Sequence, residues 1–188
     1  MKIVSISENK DIEKRIAITP EIAKKYISLG LKISISNGYG THLGFSDEDY
    51  ANLGVNILKN ENDIFKNADI IVQLGLPEDE KLLLLKENQT LIGSLNTNFN
   101  KEKLENLKKN KINCFSLELL PRITRAQSMD ILSSQANLAG YKAVVEAFQV
   151  YERAIPMMMT AAGTIPAAKV LVVGAGVAGL QAIATAKR

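Results

Sequence analysis

The first two thirds of the chain repeat a pattern in which a short apolar run is followed by a turn and then by an amphipathic run. This alternation is typical of strands and helices wound over a parallel sheet. Strands are predicted over six segments, which are residues 2–7, 32–36, 55–58, 69–74, 90–95 and 112–117. The pattern therefore predicts an α/β domain whose last strand ends near residue 120.

Signals for helix starts lie between these strands. Thr19 before Pro20 provides an N-cap followed by proline at the first helical position. Ser46 and Asp49 have the spacing of a capping box, and Asn100 is predicted to cap the helix after it. The predicted helices fall where crossovers between parallel strands require them.

A longer helix is predicted over residues 133–152, where apolar side chains recur at helical spacing. Small residues form a stripe along it and would let another backbone approach closely: Ala136, Gly140, Ala143 and Ala147. Such a helix either bridges two domains or is an ordinary buried helix. Residues 155–168 contain two prolines and a glycine and show no clear period, so they are predicted to be a connector.

The last segment indicates the opening of a second domain. A β-branched run at residues 169–173 leads into the pattern G-x-G-x-x-G at residues 174–179 and then into a helix-favouring stretch. The prediction is thus an α/β protein with a parallel-sheet, Rossmann-like N-terminal domain (1–125), a loop and bridging helix (126–153), and the strand, turn and helix that open a second Rossmann domain (154–188).

Each glycine of the pattern has a chemical reason in a dinucleotide site. Gly174 would form the tight turn, Gly176 would let the backbone approach a pyrophosphate, and Gly179 would let the helix pack closely on the strand. The predicted cofactor contacts of this turn are Gly174, Ala175, Gly176, Val177 and Gly179. The alternative is a glycine-rich turn without a ligand. The acidic residue that contacts the ribose would lie about 20 residues further on, so the choice between NAD and NADP is not made by these residues.

Composition and charge favour a globular protein that does not bind nucleic acid. With 46% apolar and 23% charged residues, the sequence matches soluble globular proteins. The net charge is only +3, and the lysines are spread among acids, which argues against nucleic-acid binding. The start of the chain lacks the features of a secretory signal, and the single cysteine, Cys114, is predicted to be a core thiol in a reducing compartment.

Candidate catalytic residues are few. The only histidine, His42, lies in a glycine-rich loop and is interpreted as a surface or hydrogen-bonded residue rather than a base. Polar residues cluster between residues 118 and 135, where arginine, glutamine, aspartate and serine could bind a carboxamide, a ribose or a phosphate. The alternative is a loop of caps and salt bridges.

Three segments carry a family resemblance: residues 122–143, residues 156–166 (Pro-Met-Met-Met-Thr-Ala-Ala-Gly-Thr-Ile-Pro) and residues 173–188. They closely resemble the proton-translocating NAD(P) transhydrogenases, specifically the NAD(H)-binding N-terminal component of the alpha subunit. The run Arg15-Ile16-Ala17-Ile18-Thr19-Pro20 is similar to a signature shared with the alanine dehydrogenases, which are relatives of the same fold.

The resemblance implies that a hydride passes directly between the nicotinamide rings of NAD(H) and NADP(H). No base and no metal are then required, but the two ring carbons must be held about 3–3.5 Å apart. It implies that Arg122 and Asp130 orient the nicotinamide, that Ser133 hydrogen-bonds nearby and that Gln127 reaches toward the second nucleotide. Gln127 and Asp130 are therefore the predicted catalytic residues.

An alanine-dehydrogenase-like activity is the alternative. The positions that match the substrate lysine and catalytic histidine of those enzymes hold Gly75 and Asn96, neither of which can transfer a proton. Arg15, which in the dehydrogenases meets the substrate carboxylate, is retained. A third possibility is a non-catalytic remnant that serves only as an interaction surface.

The resemblance also implies partners. NADP(H) would bind to a separate component and the proton path would belong to a membrane-spanning component, so that this chain is expected to be cytoplasmic and peripheral to the inner membrane. A homodimer is expected in the full-length form. Because the family's component continues well beyond this point, the 188 residues are expected to be a truncated product, a split subunit or a fragment, and to be inactive alone.

Overall fold

The computed structural model describes residues 1–188, except for the side chains of residues 61 and 62. The chain divides into two compact units, Met1–Leu120 and Pro121–Arg188. The first unit is an α/β sandwich and the second is built mainly from two helices.

The first unit contains a six-stranded parallel sheet, as the sequence predicts. Its strands are β1 (Lys2–Ser5), β2 (Lys32–Ser36), β3 (Asn56–Leu58), β4 (Ile70–Val72), β5 (Thr90–Gly93) and β6 (Asn113–Ser116). Their order in the sheet is β3-β2-β1-β4-β5-β6. The order reverses between β1 and β4, and open α/β sheets form a crevice at the carboxyl ends of the strands at such a point.

Helices connect the strands: α1 (Pro20–Ser28), α2 (Asp47–Ala51), α3 (Glu61–Lys66), α4 (Asp79–Leu82) and α5 (Lys101–Lys109). Two predicted caps are confirmed, since Thr19 accepts a hydrogen bond from the Ile22 amide and Ser46 forms a capping box with Asp49. The predicted Asn100 cap is wrong, because its side-chain amide donates backwards to the Leu95 carbonyl over 2.8 Å.

The core lies in two apolar clusters. Ile3 belongs to one cluster and Val4 to the other, which is expected because successive residues of a strand point to opposite faces. Both clusters draw on the same sheet and on different helices. The parallel sheet is therefore packed on both sides, as sheets of this kind usually are.

A buried tyrosine holds the segment around residues 15–20 against the sheet. The Tyr39 hydroxyl oxygen accepts hydrogen bonds from the backbone amides of Ala17 (3.0 Å) and Ile18 (3.1 Å) and lies 2.7 Å from the Ser5 hydroxyl. Tyr50 donates to the Ile18 carbonyl over 2.9 Å. The motif before α1 is thus fixed by buried hydrogen bonds.

The prediction that Cys114 is a core thiol is wrong, because its side chain is exposed. β6 is the edge strand of the sheet, and its neighbour Phe115 is 59% exposed. Ile112, just before the strand, does join the core. The apolar residues within this strand therefore do not face packed neighbours within the described part of the chain.

The second unit begins with a 3₁₀ helix at Thr124–Met129 and continues with α6 (Ile131–Val150) and α7 (Val177–Lys187). Residues 155–168 are not a plain connector, because β7 (Met158–Thr160) and β8 (Gly163–Ile165) form an antiparallel hairpin. Gly163 supplies a φ of 130° at its turn, a conformation that L side chains rarely adopt. Residues 169–173 pair with no strand among the described residues.

None of the helices that the structure describes combines the length and apolar character that are needed to cross a membrane.

Candidate functional site

The glycine turn of the second unit has the backbone geometry that its sequence predicts. Gly174 has φ of 99°, which is the left-handed region that favours glycine. A Cβ built on Gly179 would lie 2.1 Å from the Gly174 carbonyl oxygen, so only glycine allows α7 to start this close to the turn. A Cβ built on Gly176 would meet nothing within 4 Å, so the turn opens onto free space at that residue.

The N-terminus of α7 is available to an anion. Its N-cap is Gly176, which offers no side-chain hydrogen bond to the helix. By contrast, the starts of α1 and α6 are capped by the side chains of Thr19 and Asp130. Because the first amides of a helix have no intrahelical partners and carry the positive end of its dipole, an uncapped start suits a phosphate.

The start of α6 is organised by Asp130. Its Oδ1 accepts a hydrogen bond from the Ser133 amide (2.9 Å) and its Oδ2 accepts one from the Ser133 hydroxyl (2.7 Å). These hydrogen bonds lower the pKa of the Asp130 carboxyl, which keeps it charged. The sequence signal for this cap was an aspartate directly before the helix, which the prediction of a helix from residue 133 missed.

The starts of the two helices line one cavity of about 450 Å³. All four polar residues singled out by the sequence face it, together with Val177, the first residue of α7. The complete lining is Pro121, Arg122, Ile123, Ala126, Gln127, Asp130, Ser133 and Val177. Gly174, Ala175, Gly176 and Gly179 do not line it, but Gly176 directly precedes Val177.

The side chains of this cavity offer both hydrogen-bond donors and hydrogen-bond acceptors. Arg122 is a fixed cation, Gln127 offers both an amide donor and an acceptor, and Ser133 adds a hydroxyl. Its described lining contains no histidine, lysine or cysteine. The arrangement can therefore bind and orient a polar aromatic amide, and its only carboxylate, Asp130, has a lowered pKa that makes it a weak general base.

A second cavity, of about 520 Å³, lies in the first unit and is lined by residues that follow β1 and β4. It brings together Arg15, Gly75 and Asn96, the three positions that match functional residues of alanine dehydrogenases. Glu8 and Gln73 also line it. The three positions that the sequence comparison pairs with one active site thus lie in one cavity, although neither Gly75 nor Asn96 can carry a proton.

Glu8 and Arg15 of this second cavity are both engaged with protein partners. Glu8 Oε1 accepts hydrogen bonds from the Leu74 amide (2.7 Å) and from Gln73 Nε2 (3.1 Å), while burial raises the pKa of its carboxyl. Arg15 forms an ion pair with Glu13 at 2.6 Å, and the hydrogen bonds from Arg15 lower the pKa of Glu13.

His42 lies outside both cavities. Its ring is exposed, and Nε2 is 2.7 Å from the Lys14 carbonyl oxygen. This placement agrees with the interpretation of a hydrogen-bonded loop residue. Among the described residues there is also no cluster of side chains that could hold a metal ion.

Family models match almost the whole chain. Residues 5–139 match the N-terminal domain of alanine dehydrogenase/PNT, and residues 143–188 match the C-terminal domain of the same family.

Curated relatives give the same result. The alpha-subunit protein of NAD(P) transhydrogenase from Rhodospirillum rubrum is 46% identical over all of this chain and half of its own length, as is its namesake from Rickettsia prowazekii. An alanine dehydrogenase from Methanococcus maripaludis is 28% identical over 93% of this chain and 47% of its own. The chain thus spans about half the length of the curated relatives it matches.

Solved structures agree with the fold. The transhydrogenase from Sinorhizobium meliloti superposes with a TM-score of 0.91 and 44% identity, over 98% of this chain and 55% of that one. An L-alanine dehydrogenase shares the fold at a TM-score of 0.84 and 22% identity, over all of this chain and 52% of that one. This chain therefore belongs to the alanine dehydrogenase/PNT family, and its sequence is more similar to these transhydrogenases than to these alanine dehydrogenases.

Proposed function

We propose that this chain is the NAD(H)-binding part of an NAD(P) transhydrogenase, in which a hydride passes directly between NAD(H) and NADP(H) and proton translocation is coupled to it in the full complex. The observation that carries the proposal is the cavity at the starts of α6 and α7. Its described lining gathers Arg122, Gln127, Asp130 and Ser133 beside the glycine turn, and the lowered pKa of the Asp130 carboxyl makes it a weak base.

Each part of the site has a separate task in this proposal. The uncapped start of α7, with open space at Gly176, holds the pyrophosphate through backbone amides. Arg122 and Asp130 orient the nicotinamide, and Ser133 both donates to Asp130 and hydrogen-bonds at the same end. Gln127 faces the second nucleotide. The bound dinucleotide supplies the hydride chemistry, while the protein binds the dinucleotide and orients its nicotinamide ring.

A site of this kind accelerates the reaction by orientation. Direct hydride transfer requires no proton to move in the same step, so a cavity whose only carboxylate is a weak base suits it. Holding reactants in the geometry of attack can supply several kcal/mol of the barrier, about 7–11 in favourable cases. Gln127 and Asp130 are the residues whose displacement would disturb that geometry most directly.

The remaining functions belong to partners in this proposal. A separate component binds NADP(H), a membrane-spanning component carries the proton path, and the NAD(H)-binding component is a homodimer on the cytoplasmic side, peripheral to the inner membrane. The functional division of the chain is a first domain over 1–125, the nicotinamide-side loop and helix over 126–153, and the opening of the NAD(H)-binding domain over 154–188. Alone, these residues do not complete hydride transfer.

An alanine-dehydrogenase-like activity has one observation in its favour, which is that Arg15 lines the cavity shared by Gly75 and Asn96. The same cavity argues against it, since Arg15 is paired with Glu13 and the two proton-transfer positions hold glycine and asparagine. Amino-acid oxidation with NAD needs a base to remove a proton. The transhydrogenase assignment requires none.

The decisive experiment combines the complete NAD(H)-binding component with its NADP(H)-binding partner and follows hydride transfer in a single turnover. We expect transfer from NADH without any amino acid present. Titration of the same component with NADH tests the first step alone. Absence of NADH binding would leave only the non-catalytic remnant, and binding without transfer would contradict the transhydrogenase role.

A further inference from the structure

Helices α6 and α7 touch through their backbones at Gly140. A Cβ built on this buried residue would lie 2.1 Å from the carbonyl oxygen of Ala178, 2.9 Å from its carbonyl carbon and 3.0 Å from its Cα. All three atoms belong to the backbone, so no side-chain movement could make room. Even one added methyl group must push the two helices apart.

A side-chain hydrogen bond joins the same two helices, and each of them also has a buried apolar residue. Asn137, one turn before Gly140, donates to Gln181 Oε1 over 3.1 Å. One turn after Gly140 lies the buried Val144, and α7 contributes the buried Ala182. The backbone contact at Gly140 and the hydrogen bond from Asn137 to Gln181 therefore both join these two helices.

This contact lies close to both parts of the proposed site. Ala178 is the second residue of α7 and lies two residues after Gly176, the glycine at the open part of the turn. Along α6, Gly140 is seven residues from Ser133, or about 10 Å at 1.5 Å per residue. The distance between the phosphate turn and the nicotinamide-side loop thus depends on how closely these two helices pack.

We propose that the Gly140–Ala178 contact sets the spacing between the glycine turn and the cavity at Asp130, and that Gly140 is a positioning residue for a dinucleotide that must reach both. The inference rests on the proposed function, because it needs a ligand that bridges the two ends. Glycine is a poor choice for the interior of α6 on helix propensity alone. Glycine at this position allows the backbones of α6 and α7 to approach each other closely.

The test compares a ligand that reaches both ends with a ligand that reaches only one. In the complete NAD(H)-binding component, Gly140→Ala is titrated with NADH and with ADP-ribose, which lacks the nicotinamide. We expect the NADH dissociation constant to rise about tenfold or more while that of ADP-ribose stays within about threefold. Single-turnover hydride transfer should fall on the order of a hundredfold, since a displacement of about 1 Å is enough for that.

Ala139→Gly is the matched control. Ala139 is the exposed neighbour of Gly140 on α6, and glycine there weakens the helix without inserting an atom between α6 and α7. We expect this variant to melt at a lower temperature and to bind both ligands as the wild type does. Asn137→Ala, which removes the hydrogen bond to Gln181 and should fold readily, is expected to raise the NADH dissociation constant about fivefold while that of ADP-ribose stays at the wild-type value.

The outcomes separate the two proposals. Equal weakening of NADH and ADP-ribose in the two helix-contact variants would mean that Gly140 only supports the folding of the turn, and unchanged NADH affinity would mean that the spacing does not matter. Either result overturns this inference while leaving the proposed function intact. A wild-type component that does not bind NADH would overturn the proposed function and this inference with it.

Discussion

Asp130 and Ser133 are joined twice, through the Ser133 amide to one carboxylate oxygen and through its hydroxyl to the other. The two residues therefore form a helix cap as well as two of the three proposed nicotinamide contacts. A carboxylate that is already held in place by its own helix can orient a ligand without first losing its own freedom.

Replacement of Asp130 separates these two roles. Asparagine is as good an N-cap as aspartate, whereas alanine is a poor one. We expect Asp130→Asn to unfold at the same urea concentration as the wild type and Asp130→Ala to unfold earlier. Both should bind NADH more weakly, by about tenfold. If Asp130→Asn binds NADH normally, the carboxylate is only a cap.

Gln127→Asn tests the orientation of the two rings. Shortening this side chain by one methylene should lower the single-turnover rate of hydride transfer about a hundredfold, because the rings are misplaced. NADH affinity should change by less than about tenfold. Stopped-flow measurement and a binding titration give the two numbers. Ser128→Ala, an exposed neighbour that does not line the cavity, serves as the control, and parallel losses of rate and affinity for Gln127→Asn would instead mark it as a simple anchor.

Two glycine variants of the turn should fail in different ways. Gly176 has a φ of −76° and open space around it, so Gly176→Val should fold with an unchanged melting temperature and lose NADH binding through obstruction of the pyrophosphate. Gly179→Ala would meet the Gly174 carbonyl oxygen, so it should lower the melting temperature. Differential scanning calorimetry together with NADH titration distinguishes the two. Normal NADH binding by Gly176→Val would exclude the turn as the phosphate site.

The cavity of the first unit should have no dehydrogenase activity. Gly75 and Asn96 cannot exchange protons, so we expect no alanine-dependent formation of NADH by the complete component at neutral or alkaline pH. Absorbance of NADH in the presence of alanine provides the measurement. A rate that rises with pH would show a working base in this cavity.

Glu8 should make stability depend on pH. Burial raises the pKa of its carboxyl above the ordinary 4.5, so between the ordinary and the raised pKa the folded state holds more protons than the unfolded state. The free energy of unfolding must then fall as pH rises through that window. Glu8→Gln removes the titration, and its single oxygen can still accept from Leu74 and Gln73, so the variant should lose this fall of the unfolding free energy with rising pH.

Glu21→Gln gives the opposite sign and is the matched control. Its hydrogen bond with Lys25 lowers the pKa of the Glu21 carboxyl, so that the stabilisation is present above the ordinary pKa and disappears as pH falls. Urea unfolding of both variants over the acidic to neutral range makes the measurement. If both substitutions changed the pH dependence of the unfolding free energy in the same direction, burial would not be the cause of the raised pKa of Glu8.

The elements that sequence predicted well are those whose signal is local. The six parallel strands are apolar runs bounded by turns, and the caps at Thr19 and Ser46 need only residues within one helical turn. The prediction that Cys114 is buried was wrong because an alternation of apolar residues does not show which strand lies at the edge of the sheet. The hairpin of β7 and β8 was missed because its strands are only three residues each, too short for a period.

For the candidate site, the residue types were predictable and their arrangement was not. The glycine turn could be predicted because each glycine has its own backbone requirement. The stripe containing Gly140 predicted a close backbone approach, and the structure identifies α7 as the helix in contact there. That Val177 would share a cavity with Asp130 depended on this long-range contact, which no local pattern encodes.

The strand order of the first unit has a chemical consequence. Sheets with the order 3-2-1-4-5-6 commonly bind dinucleotides beside the first strand, and this unit has that order. At the same place, however, it carries the partly buried Glu8 beside the carboxylates of Glu13 and Glu78, and negative oxygens there repel phosphate. The residues that follow its first strand, Ser7, Glu8 and Asn9, include no glycine, so the strand order alone does not make this crevice a phosphate site.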